Sequence, residues 1–309
     1  MARIALVLGG GGLTGTAFHA GVLTALDRHG WDARTADVIV GTSAGSTATA
    51  LLRAGFPPGD YVHRMTGEPV SAEAARVLDR IGRVPTPPKR RAGRRAPASP
   101  GLLRAIARRP WDFPLGVVAA AALPAGTVDI DEVNPGFGPL FTRWPRRPTW
   151  ITAVALRTGR RVVFGRDAVA TIPEAVSASC AIPGYFRPVT IGGDQYVDGG
   201  AHSVHHADLV AQRAYDLVIV SAPLSTTDLV APELGNVPRA PLKRQLDREL
   251  GTVHRSGTPT LVFAPDRRLR SLMGLNSMDL AKRPVVAEAT EIMAGRLLSR
   301  CNVKIPPTG

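Results

Sequence analysis

The stretch Val38-Ile39-Val40-Gly41-Thr42-Ser43-Ala44-Gly45-Ser46 passes from branched apolar residues to small ones with no charged residue between. The apolar triplet suits a buried strand, and the alanine-rich run from Ala44 to Arg53 suits a helix. Gly41-Thr42-Ser43-Ala44-Gly45 therefore falls on a strand-to-helix turn and fits the G-x-S-x-G nucleophile elbow, whose meaning depends on that placement. Crowding explains the flanking Gly41 and Gly45: so tight a turn presses backbone against side chain, and a Cβ at either position clashes. The helix that follows aims its unpaired N–H groups and the positive end of its dipole at Ser43. A packing turn of small residues has the same letters, so the motif must be weighed with its surroundings.

Towards the N-terminus, Ile4 to Leu8 (IALVL) is a second apolar run, ended by Gly9 to Gly12 and followed by a helical pattern from Thr16 to His29 with Phe18, Val22, Leu23 and Leu26 inward. Two strand–glycine–helix units in succession imply a parallel sheet with right-handed crossovers. The Gly9 to Gly15 stretch, GGGGLTG, stands at the carboxyl end of the first strand. Its N–H groups can converge on an oxyanion, as acyl transfer requires. A rival reading exists, because Gly10-x-Gly12-x-x-Gly15 also matches the dinucleotide-binding fingerprint. That fingerprint wants an acidic residue closing the second strand, where this chain has Gly41-Thr42-Ser43 and keeps Asp32 and Asp37 ahead of the strand.

Towards the C-terminus, Thr149 to Leu156 and Arg161 to Phe164 read as strands joined by an Arg157-Thr158-Gly159-Arg160 hairpin, and Ile172 to Ser179 as a helix stopped at Pro183-Gly184. Phe186 to Ile191 and Gln195 to Val197 read as short strands, Asp216 to Ser221 and Thr260 to Phe263 as central ones, and Arg239 to His254 and Pro284 to Arg300 as late helices. Asp198-Gly199-Gly200 follows the strand-like Gln195 to Val197. The glycines let the chain turn at once and bring the carboxylate against other backbone; an ordinary Asp-Gly turn is the plainer reading.

Taken together, the glycine loop, the G-x-S-x-G serine and the D-G-G aspartate, in this order, resemble the patatin-like phospholipase family. The likeness extends through SASCAIPGYFRPVTIGGDQYVDGG, Ser177 to Gly200, and is good over Ala5 to Gly55 and Glu174 to Leu209. The resemblance implies one catalytic domain over residues 1–309, a three-layer α/β/α fold with a mainly parallel central sheet, carrying a basic Pro/Arg-rich insertion at 83–110. It implies Ser43 as nucleophile, Asp198 as its sole partner in a dyad, Gly10, Gly11 and Gly12 as oxyanion-hole donors, and hydrolysis of fatty-acyl carboxyl esters with no metal or organic cofactor. One departure is Thr14, where the family usually carries Arg or Lys, so only backbone donors are expected in the loop. A solvated carboxylate, with pKa near about 3.9, is a weak base towards a serine hydroxyl, so Asp198 is expected to be buried, which raises proton affinity. His202, His205 and His206 follow the aspartate closely and leave a triad as an alternative. A catalytically silent lipid-binding protein is a further one.

At 309 residues the chain has length enough for a full α/β core. Two cysteines, Cys180 and Cys301, are too few to staple a secreted scaffold, which points to a reducing, cytoplasmic setting. MARIALVLGG lacks the length and cleavage site of a signal peptide. No run reaches the roughly 20 apolar residues of a membrane span; the nearest, Leu115 to Ala125, reads as a core or surface helix. The net charge of +13 attracts anionic partners. From Arg83 to Arg109 there are many prolines, nine basic residues and no acidic one. Arg83 to Pro100 is expected to be a loop and Leu102 to Arg109 a basic amphipathic turn of helix, with Leu102, Leu103, Ile106 and Trp111 able to meet lipid. The expected partners are a lipid or ester substrate and, through this segment, the anionic inner face of a membrane. Nucleic acid is not expected, for want of interleaved aromatics or a known module.

Overall fold

In the computed structural model, which describes residues 2–81, 96–130, 135–211, 215–227 and 239–300, the apolar run Ile4–Leu8 forms strand β1, wholly buried. Contacts divide the chain into two compact units, Met1–Val77 with His205–Gly309, and Leu78–Val204. After β1 come helix α1, Gly12–Arg28; strand β2, Val38–Gly41; and helices α2, Ala44–Arg53, α3, Tyr61–Thr66, and α4, Ala72–Ile81. The second unit continues with helices α5, Pro100–Arg108, and α6, Leu115–Ala122, strands β3, Thr149–Ala155, and β4, Arg161–Phe164, helix α7, Ile172–Cys180, and strands β5, Val189–Ile191, and β6, Asp194–Asp198. The chain then returns to the first unit with β7, Leu217–Ser221, α8, Ala240–Arg255, β8, Thr260–Phe263, α9, Arg267–Met273, and α10, Arg283–Arg300.

The protein is a mixed α/β chain whose central sheet is mainly parallel. In the first unit β2, β1, β7 and β8 lie side by side, all parallel. Every residue of β1, β2 and β7 is buried, which accounts for their unbroken apolar sequences: parallel strands covered on both faces have no solvent side to mark with polar residues. Helix α1 packs closely on α10, and Gly21 allows the approach, since a Cβ there comes within 2.5 Å of the Ala287 carbonyl oxygen.

In the second unit β3 pairs antiparallel with β4 and with β6, and β6 with β5. The anticipated hairpin between β3 and β4 is present, with Gly159 at φ 68°. Helices α5 and α6 bury Leu102, Ile106, Val117, Ala120 and Ala121 in one apolar cluster with Val154, Leu156 and Val197 of the strand region. Leu102 and Ile106 therefore face inward, not towards lipid as anticipated, because the strands offer them an apolar partner. The basic stretch expected to form a loop lies outside the described residues as far as Arg95. Strand β5 is shorter than the expected Phe186 to Ile191; Phe186 makes only an isolated bridge, to Val128. Among the described residues no helix is long and apolar enough to cross a membrane.

Candidate active site

Ser43 stands between β2 and α2, at φ 50° and ψ −118°. A side chain at positive φ is strained by about 1–3 kcal/mol, and such strain persists only where neighbours over-determine it. Here they do. The Thr42 N–H donates to the Leu8 carbonyl at 3.0 Å, tying the elbow to the end of β1. The Ser46 hydroxyl donates to the Ser43 carbonyl at 2.6 Å and the Thr49 hydroxyl to the Gly45 carbonyl at 2.8 Å. A Cβ on Gly45 falls 1.9 Å from the Leu8 carbonyl oxygen, and one on Gly41 falls 2.5 Å from Thr49 Oγ1. Both glycines are thus obligatory, for the reason the motif suggested. Ser43 itself is 7% exposed.

The glycine loop lies against this elbow. Gly12, at φ 61°, opens α1, and a Cβ on Gly11 falls 2.8 Å from Gly15 Cα and from Pro223 Cγ. Gly15 in turn faces Ala44, the residue after the serine; a Cβ added to Gly15 comes 3.6 Å from that of Ala44. Gly9 donates to Ser221 and Thr14 to Ser277, each at 3.0 Å. Among the described residues no carbonyl or side chain accepts from the N–H groups of Gly10, Gly11, Gly12 or Ala44. Amides concentrated at two helix N-termini beside a strained serine are suited to hold an oxyanion.

Asp198 belongs to the second unit. It closes β6 opposite Ala153 of β3, and its N–H donates to the Ala181 carbonyl at 3.0 Å, just past the end of α7. Its Oδ1 accepts the Gly200 N–H at 2.7 Å, which fixes the carboxylate, and the residue is 6% exposed. The first glycine of D-G-G is required by packing, since a Cβ on Gly199 lands 2.4 Å from Thr152 Oγ1.

Sequence reasoning missed His19. It is buried on α1, with Nε2 2.7 Å from the Gly9 carbonyl and Nδ1 2.8 Å from Ser221 Oγ. A carbonyl only accepts, so Nε2 carries the proton and Nδ1 accepts the serine hydroxyl. Burial pushes its pKa down to about 4, with the Gly9 bond opposing. Gly9 is thereby held at its N–H by Ser221 and at its carbonyl by His19, which anchors the start of the loop. The available signal was position: His19 shares the inward stripe of α1 with Val22, Leu23 and Leu26. Arg239 supports the other side by donating to the carbonyls of Pro223 and Ser225. Of the histidines after the aspartate, His205 and His206 are buried. Burial pushes His205 down to about 3, opposed by Asp247, which makes it a weaker proton acceptor than an ordinary imidazole.

A family model described as patatin-like phospholipase matches residues 6–210, a span that holds the loop, the elbow and Asp198. No curated protein matches the sequence. Among solved structures, VipD from Legionella pneumophila is similar over 96% of this chain and 67% of its own, at 11% identity and a TM-score of 0.44. ExoU in its complex with SpcU, from the type III secretion system of Pseudomonas aeruginosa, is similar over 97% of this chain and 51% of its own, at 19% identity and a TM-score of 0.37. The chain thus spans about half the length of that ExoU chain.

Proposed function

This chain belongs to the patatin-like phospholipase family, and from that premise we propose that it is a lipid acyl hydrolase cleaving fatty-acyl carboxyl esters with Ser43 as nucleophile and Asp198 as its base. Asp198 takes the Ser43 proton as Oγ attacks the ester carbonyl carbon. The oxyanion so formed is held by N–H groups of Gly10, Gly11 and Gly12, with Ala44 as a further donor. Collapse breaks the bond to the alcohol, which leaves with the proton from Asp198. Water then attacks the acyl-serine, gives its proton to Asp198, and Ser43 regains it as the fatty acid departs. The reaction so written uses no metal or organic cofactor. Lipid substrates are held in surfaces, so contact with an anionic membrane face is part of the same reading, favoured by the net charge of +13.

The observation that carries this reading is the strained Ser43 beside a loop in which the Gly10, Gly11 and Gly12 amides have no protein acceptor among the described residues. It is tested with a panel of phospholipids and soluble aryl esters. Wild type is expected to release fatty acid or aryl alcohol, and Ser43→Ala to be silent on the whole panel. Residual turnover by Ser43→Ala close to wild type removes the proposal. Saturable dinucleotide binding by an inactive wild type favours the nucleotide reading of the loop.

A further inference from the structure

Helix α6 has the sequence LGVVAAAA and carries no charge; nor does any residue from Phe113 to Val128. It buries Val117, Ala120 and Ala121 in the cluster shared with α5. Its other face turns to solvent and is equally apolar: Leu115, Ala119, Ala122 and the following Leu123 are all exposed. Leu115 is 87% exposed, Leu123 43%, and Trp111, just ahead of the helix, 79%. A surface helix ordinarily turns polar side chains outward, and a contiguous apolar face rimmed by charge marks an interaction surface.

The rim is basic. Arg104 and Arg108 on α5, with Arg109, are exposed, and Asp112 is the only acidic residue between Ala96 and Val128. Because α5 and α6 bury into one cluster, their exposed faces both look away from it. Apolar side chains flanked by arginines match the two layers of an anionic membrane surface, headgroup charge outside and acyl chains beneath. Tryptophan in particular suits the boundary between them.

We infer that the exposed face of α6, with Trp111 and the α5 arginines, is the surface by which this protein docks on an anionic lipid bilayer. Its position gives docking a purpose. Gly116 packs directly on the turn after Asp198, where a Cβ would lie 2.3 Å from the Ala201 carbonyl oxygen. The helix that dips into lipid is therefore the one supporting the aspartate's own turn. The inference rests on the lipid-hydrolase reading for that purpose, but not for the docking itself.

Flotation separates the two. Full-length Ser43→Ala protein, which leaves lipid intact, is mixed with vesicles of phosphatidylcholine alone or of phosphatidylcholine with phosphatidylglycerol. Binding is expected to the anionic vesicles and to weaken with salt. Adding Leu115→Asp, or independently Trp111→Ser, should lower it by about tenfold or more, the scale of removing one large apolar side chain from a buried site. Arg104→Gln with Arg108→Gln and Arg109→Gln should erase the preference for anionic vesicles. In the Ser43 background, none of these changes should alter turnover of a soluble aryl ester. No flotation, equal flotation with both vesicle types, or unaltered flotation of both apolar variants overturns the inference. So does a dimer that Leu115→Asp disperses without any vesicle binding. If wild type floats as expected but hydrolyses no ester at all, docking stands and the proposed reaction falls.

Discussion

Ser43 and His206 are the two non-glycine residues at positive φ among the described residues. At Ser43 it is the Cβ that makes this conformation costly. Removing the Cβ should release that strain. Ser43→Gly is therefore expected to unfold at higher temperature than Ser43→Ala, by about 1 kcal/mol in stability, with both expected to be inactive. Thermal denaturation of the pair checks this; equal or reversed stabilities would mean that the elbow is not strained. Gly41, Gly45 and Gly199 were legible for a simple reason: each is glycine because backbone or a short side chain occupies the Cβ position, and crowding of that kind leaves a local signature in sequence. Thr14 is a different case. It is buried and gives its N–H to Ser277, so the position has no solvent to receive a charged side chain.

At the scale of elements, the strand–glycine–helix repeats and the late strands could be read from apolar runs alone, and α2 runs from Ala44 to Arg53 as expected. Helix α1 begins at Gly12, four residues before the sequence suggests. Glycines hide a helix start, because they break the periodic pattern without breaking the helix. The short α9, Arg267–Met273, has too few turns for its apolar residues, Leu269, Leu272 and Met273, to establish a period; Asp266, which caps it by accepting the Leu269 N–H at 2.8 Å, marks its start. Which elements His19 joins could not be read either, because its partners lie on β7 and at the end of β1. That network predicts a pH response. His19 and His205 are held neutral, with pKa values lowered to about 4 and about 3, while unfolded histidine titrates near about 6.5. Below that value the unfolded chain binds more protons, so stability is lost as pH falls from about 6.5 towards 4. Urea unfolding at pH 7 and pH 5 should differ by about 2 kcal/mol per buried histidine, and His19→Gln should shrink the difference. A flat profile from pH 7 to 5 contradicts the assignment.

For the whole molecule, a net charge of +13 sets a preference for anionic surroundings. At physiological ionic strength, however, charges are screened beyond about 8 Å. Only the arginines near a docking face then matter to docking, and composition alone could not say which those are. The sequence places the glycine loop, the serine and the aspartate in order, and contacts assign the first two to one unit and the third to the other. The proposed mechanism requires Ser43 and Asp198 to act in one reaction. Fluorophosphonate labelling followed by intact-mass and peptide mapping tests this most directly. Wild type should gain one adduct, on Ser43, Ser43→Ala none, and Asp198→Asn should label about 10²–10⁴ times more slowly, the usual loss with a general base. Labelling of Asp198→Asn at the wild-type rate, or an adduct on another residue, would contradict the account.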